Sequence, residues 1–236
     1  MSAAHLTSHP DRTSRTWTPS QLSARAERLY GRKQGLMSLL QIYRPFICPF
    51  DALMPLVPPG ARLLDVGCGA GLFLGLLADE GLIATGRGFD SSVQAVALAQ
   101  SMLSNLQASN GVLIERRESS AGWPDEQFDA VSMIDVLHHI PVRARQGIIA
   151  TVASRLKPRG VFIYKDMVTR PRWRAWCNQA HDLVVARQWI THQDIAMVDS
   201  WAKKESLRMI VSGARNQLWY GHEWRVYQKQ PSALSA

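Results

Sequence analysis

Leu63-Leu64-Asp65-Val66-Gly67-Cys68-Gly69-Ala70-Gly71 is the stretch that decides how this chain reads. Two β-compatible leucines and an acid lead into glycines at alternate positions, and Leu72-Phe73-Leu74 then opens a helical pattern. The run predicts a strand, a tight turn and a helix N-terminus. Glycine lets a backbone approach a ligand with no Cβ in the way, and a helix start offers unpaired N–H groups. The acid precedes the glycines and no third glycine falls at dinucleotide spacing, which separates the run from the dinucleotide-binding fingerprint.

Working outward, Gly86-Arg87-Gly88-Phe89-Asp90-Ser91-Ser92 follows the apolar Leu82-Ile83-Ala84-Thr85. Asp90 lies near the interval of about 20 residues at which an acid reaches a ribose in βαβ nucleotide folds. Further on come Phe128-Asp129-Ala130-Val131 running to Leu137-His138-His139, and Leu156-Lys157-Pro158-Arg159-Gly160. Periodicity gives strands at 62–66, 82–86, 112–115, 129–134 and 161–166, with helices at 71–80, 92–104 and 142–156. Later segments read as helices at 173–188 and 194–204 and strands at 207–212 and 218–228. Strands alternating with helices imply parallel βαβ units, with a ligand beyond the carboxyl ends of the strands.

These four motifs, in this order over residues 60–166, resemble the class I S-adenosylmethionine (SAM)-dependent methyltransferases. The glycine run is similar to that family's DxGxGxG. The later runs are similar to its strand-four segment and its LKPGG turn, with Arg159 in place of the first glycine. The resemblance implies a Rossmann-like α/β fold: a seven-stranded, mostly parallel sheet with helices on both faces and an antiparallel last strand. It implies SAM as cofactor, S-adenosylhomocysteine (SAH) as product and no metal. Gly67, Gly69 and Gly71 would then turn beneath the methionine part, with Cys68 as a small filler between them. Asp65 would organise the amino group and Asp90, beside Ser91, the ribose hydroxyls. Glu118 and the Ser119 amide are the adenine-side candidates, displaced by Arg116 and Arg117 from the usual pattern. Trp123 would either wall the adenine or pack in the core. Asp135, His138 and His139 would flank the methyl-transfer channel, where a histidine could act as a base or hold the loop by hydrogen bonds.

Around this core, 1–18 reads as a disordered tail and 19–59 as a helical lid. The core occupies 60–166, and 167–236 supplies acceptor-side helices and a closing hairpin. In the lid, Leu22, Ala26, Leu29, Lys33, Met37 and Leu40 fall on one face, interrupted by Gly31 and Gly35. Tyr30 or Tyr43 is expected to reach inward. Cys48, Cys68 and Cys177 have neither metal-ligand nor disulfide spacing. No apolar run approaches the length of about 18 residues that spans a membrane, and the N-terminus lacks a signal-like apolar stretch, so a cytoplasmic location is expected.

The net charge of +8 is uneven, being +5 over 1–50, −2 over 51–166 and +5 over 167–236. Positive ends around a slightly negative core fit an acidic or carrier-protein-bound small acceptor, an acidic partner surface, or solubility alone, and the aromatic residues gathered after residue 166 fit an aromatic or lipid-like acceptor or core packing. Tyr43, Arg172, Trp173 and Trp176 are the acceptor-side candidates, with Arg32, Arg44, Arg170 and Arg174 as further positive contacts. The competing readings are a nucleic-acid methyltransferase and a non-catalytic SAM-binding protein. Against the first, no Asn-Pro-Pro-Tyr-like motif and no Pro-Cys pair after strand four are present. A homodimer is left open.

Overall fold

The computed structural model describes residues 16–31, 35–106, 111–119, 122–167, 194–218 and 220–231. Its strands are β1 (Ala61–Val66), β2 (Ile83–Asp90), β3 (Val112–Arg116), β4 (Phe128–Ile134), β5 (Leu156–Met167), β6 (Leu207–Gln217) and β7 (Tyr220–Lys229). They form one sheet in the order β3-β2-β1-β4-β5-β7-β6. Every pair from β3 to β5 is parallel, and β7 runs antiparallel between β5 and β6. The order reverses beside β1, so the carboxyl ends of β1 and β4 flank the crevice where such sheets bind ligands.

The helices are α1 (Pro19–Tyr30), α2 (Leu36–Tyr43), α3 (Phe50–Leu53), α4 (Leu72–Asp79), α5 (Val93–Ser104), α6 (Val142–Arg155) and α7 (Ile195–Lys204). No helix among the described residues is long and apolar enough to cross a membrane. Alternation along the strands sorts the core into two layers. On one face Leu63, Ile163 and Val226 pack with Leu22, Phe50, Phe73 and Leu77 from the N-terminal segment and α4. On the other, Leu64, Val131, Phe162 and Tyr227 pack with Ile149 and Val152 of α6 and Val198 and Trp201 of α7.

Local chemistry explains the element ends. Thr18 and Gln21 form a reciprocal capping box ahead of Pro19, and Ser92 and Asp194 cap α5 and α7 through side-chain oxygens. Arg25 pairs with Glu80, and Arg28 reaches Asp79 at 2.7 Å, so α1 is bound to the end of α4.

Four expectations need correction. β2 runs to Asp90 rather than stopping at 86, because Gly86 through Phe89 pair with both neighbours and Asp90 still pairs with β3. The turn expected at Pro158-Arg159-Gly160 is a bulge inside β5, with Arg159 at φ 63° and a register shift opposite Phe128 and Ala130. The lid does not keep one apolar face. The chain is redirected at Gly31 (φ 68°) and Gly35 (φ 95°), so α2 buries Ser38, Gln41 and Ile42 and exposes Met37 and Leu40. Both strands of the closing hairpin are longer than expected or shifted, meeting at Gln217 and Tyr220.

Candidate functional site

The glycine run folds as a loop held from three directions. Cys68 N–H donates to Phe89 O at 3.0 Å, Gly71 N–H to Cys68 O at 2.9 Å, and Gly69 N–H to the Asp90 carboxylate at 2.9 Å. Gly67 and Gly71 sit at φ 65° and 81°, in the left-handed region that disfavours side chains. A Cβ on Gly67 would also lie 2.6 Å from a Val136 methyl, and one on Gly71 2.6 Å from Ile114. Gly71 serves as the N-cap of α4, placing a helix N-terminus at the loop.

Two acids brace the turn. Asp90 accepts the Gly69 amide on one oxygen and the Ser92 amide on the other at 2.8 Å, which ties the end of β2 to the glycine loop. Asp65 is buried and accepts from the Ser132 hydroxyl at 2.6 Å. Burial, opposed by Ser132 and by the Arg44 charge, pushes its carboxyl up to about 7. Cys68 packs over Gly88, and burial with the nearby Asp65 and Asp90 holds its thiol well above the usual range.

The N-terminal segment closes the other side. Tyr30, fully buried, donates its hydroxyl to Ala70 O at 2.7 Å, so Tyr30 is the tyrosine that reaches the loop. Tyr43 does not. It is 57% exposed and meets the Phe46 ring at 6.5 Å. Its neighbour Arg44 turns inward, with its guanidinium 5.9 Å over the Phe50 ring and 3.9 Å from Asp135. Arg44, Phe50, Asp65, Gly67, Cys68 and Phe73 line an open cleft. The segment is clamped to the hairpin by a two-pronged Arg215–Asp51 pair (2.9 and 2.6 Å) and by Gln217 on Pro45 O (2.8 Å).

Beyond β4 the polar residues divide between the two sheet faces. Asp135 stands at φ 58° and accepts from Lys165 Nζ at 2.5 Å. Burial alone would raise its carboxyl, but Lys165, Arg44 and His138 outweigh it and leave it at about 2. His138 is buried with Nδ1 2.6 Å from Asp166, which also accepts from Tyr164 at 3.1 Å, while Arg145 donates to the His138 carbonyl. This network ties His138 into the loop after β4. His139 opens to solvent on one side; burial of the remainder, then His138 alongside, lowers it to about 4.

The adenine-side candidates are not drawn into the cleft lining. Glu118 is exposed, as is Ser91 on the ribose side, and Ser119 is fixed through its carbonyl, which accepts from Trp123 Nε1 at 3.0 Å. Trp123 is core, edge-on to Phe89 at 5.3 Å. Trp201 and Trp224 are core as well. Arg32, Arg170, Arg172, Trp173, Arg174, Trp176 and the helix expected at 173–188 lie outside the described residues.

Sequence reasoning placed Arg44 on the acceptor side and passed over Ser132 and Lys165. Ser132 interrupts the apolar strand run 130–134, and Lys165 directly extends the apolar run 161–164. A polar residue in such a run is the signal of a buried partner.

The family profile of the methyltransferase domain matches residues 41–210. The ubiquinone biosynthesis O-methyltransferase of Xanthomonas campestris pv. campestris (strain B100) is 34% identical over 113 residues, 48% of this chain and 46% of that protein. That of Pasteurella multocida is 31% identical over 121 residues, 46% and 47% of the two chains. The chain thus spans about half the length of the curated relatives it matches. Among solved structures, the magnesium protoporphyrin IX methyltransferase of Synechocystis PCC 6803 with bound SAH superposes with a TM-score of 0.66. It is 19% identical, over 88% of this chain and 94% of that one.

Proposed function

We propose that this chain, which belongs to the class I SAM-dependent methyltransferases, transfers a methyl group from SAM to an oxygen of a small-molecule acceptor and releases SAH. One observation carries the reading: a cleft over an open glycine turn has the Arg44 guanidinium and the Asp65 carboxyl on its walls. That pair matches the carboxylate and ammonium of an amino-acid end, and the turn leaves no Cβ between them. Asp90 uses one lone pair on each oxygen for backbone amides and retains others for a pair of ribose hydroxyls. When bound, SAM supplies a methyl group already activated by its positively charged sulfur.

The chain's own part is to position and to exclude water. Reacting atoms must be held about 3–3.5 Å apart and in line. The N-terminal segment serves as the lid, held down by Tyr30 on Ala70 and Arg215 on Asp51. His139, neutral at pH 7 with its pKa near 4, can accept a hydrogen bond from an acceptor but is a weak proton acceptor. Asp135 orders the far wall through Lys165. The oxygen acceptor is supported by the relatives, which are named as O-methyltransferases, and the positive ends of the chain suit an acidic or carrier-bound form of it.

Calorimetry with SAH tests the cofactor half. Binding in the micromolar range, about 8 kcal/mol, is expected. Arg44→Gln should weaken it roughly tenfold to a hundredfold through loss of a charge-assisted contact. Unchanged affinity in that variant would remove Arg44 from the cofactor. Labelled methyl transfer to a panel of catechols and carboxylates tests the acceptor half.

A further inference from the structure

Antiparallel β7 begins where parallel β4 and β5 end, which brings the first residues of β7 to the ligand edge of the sheet. Lys165 lies opposite Trp224 and Met167 opposite His222, so the four share one sheet face. That face is covered by the segment carrying Ile47, Cys48 and Phe50. His222 is 2% exposed, yet among the described residues no group meets hydrogen-bond geometry with either ring nitrogen. The Ile47 backbone still acts on the ring and raises it, against burial and the Lys165 charge. Tyr220 packs beside it with ring centroids 6.1 Å apart.

Lys165 is the complement. It is fully buried, and its ammonium gives one of three protons to Asp135. Burial is costly for a charge and for an unpaired imidazole alike, so His222 calls for a partner, while Lys165, paired with Asp135, keeps further protons to donate. The charges facing His222 are Lys165 with its partner Asp135, and Arg215 with its partner Asp51. The surroundings are therefore close to neutral, which disfavours a fully charged ligand atom and favours a polarised hydroxyl. Burial first, and then the Lys165 ammonium, lower His222 to about 4, so the ring is neutral at pH 7 and can accept a hydrogen bond.

We propose that Lys165 and His222 together grip the acceptor's hydroxyl, the ammonium donating to its oxygen and a ring nitrogen of His222 accepting from its O–H. This rests on the methyl-transfer reading above and names the acceptor class as a phenolic hydroxyl, whose O–H is a stronger hydrogen-bond donor to the neutral His222 ring than that of an alkyl alcohol. His222 acts as a binding residue for that oxygen. Aromatic neighbours Phe50 and Trp224 on the same face suit a ring behind it.

The test uses the whole chain saturated with SAH and catechol as the probe. The His222 ring signal, assigned by its through-space contact with Tyr220, should shift saturably as catechol is added. His222→Phe should weaken catechol binding about tenfold, the loss of one buried hydrogen bond with its partner left unpaired, and leave SAH affinity unchanged. Catechol that binds without moving the His222 signal overturns the proposal, as does SAH-loaded protein that binds no catechol. Catechol binding undiminished in a folded His222→Phe variant overturns it too. If the unaltered chain fails to bind SAH at all, the cofactor reading fails first, and that result is distinct from the other three. The signal of the unaltered chain decides the matter even if the variant does not fold.

Discussion

Replacing Asp65 by Asn separates two demands placed on one residue. Asp65 is buried at the end of β1, with the Ser132 hydroxyl donating to it at 2.6 Å. Burial, countered by Ser132 and then by the Arg44 charge, raises its carboxyl from 3.8 to about 7. That gap corresponds to about 4 kcal/mol between the protonated and ionised forms. The folded chain holds this proton more tightly than the unfolded chain does. The contribution is therefore fully present below about pH 4 and is lost as pH rises through about 7. Asn keeps the size and the hydrogen bond to Ser132 but has no charge to desolvate. Urea unfolding from about pH 5 to 9 should show the unaltered chain losing stability relative to Asp65→Asn as pH rises. The difference should approach about 2–4 kcal/mol by pH 8. The same variant should bind SAH more weakly, because the ammonium loses its partner. Parallel stability curves for the two proteins would refute the assignment of a desolvated carboxyl at this position.

Three single contacts give further expected outcomes. Gly67→Ala puts a methyl 2.6 Å from Val136 at φ 65°, so SAH affinity by calorimetry should drop at least about tenfold while the fold persists, given a left-handed penalty of about 1–2 kcal/mol. Tyr30→Phe removes the buried bond to Ala70 O and should cost about 1–3 kcal/mol in urea unfolding, with faster amide exchange across α1 and the glycine loop. Asp166→Asn strips the charge from a buried pair with His138. It should destabilise the chain by about 3–5 kcal/mol at pH 7. Because His138 and a backbone amide hold the Asp166 carboxyl below its usual range despite burial, that loss should shrink as the medium is acidified.

The fold was legible because its decisive features are local. A strand, a left-handed glycine turn and a helix start are encoded within one short run, 63–71 and the apolar residues just after it, and alternation then counts out the parallel strands. Asp65 and Asp90, the two acids that brace the turn, were legible for the same reason, since each lies at the end of a strand whose apolar pattern announces it. The Arg44 wall of the cleft was not, because its geometry is made by long-range closure. Arg44 enters the cleft only because redirection at Gly31 and Gly35 turns α2 over, exposing Tyr43 and sending the next residue inward. No spacing within 36–44 distinguishes those two outcomes. Likewise the paired histidines look equivalent in sequence, and they differ because β5 places Asp166 beneath His138 while His139 faces the opening. Lys165 and Asp166 are adjacent and point to opposite faces of β5, one to Asp135 and the other to His138. A strand's twofold alternation thus divides two neighbouring charges between the faces, Lys165 pairing with Asp135 and Asp166 with His138. That division becomes readable only once β4 and β5 are known to be neighbours in register.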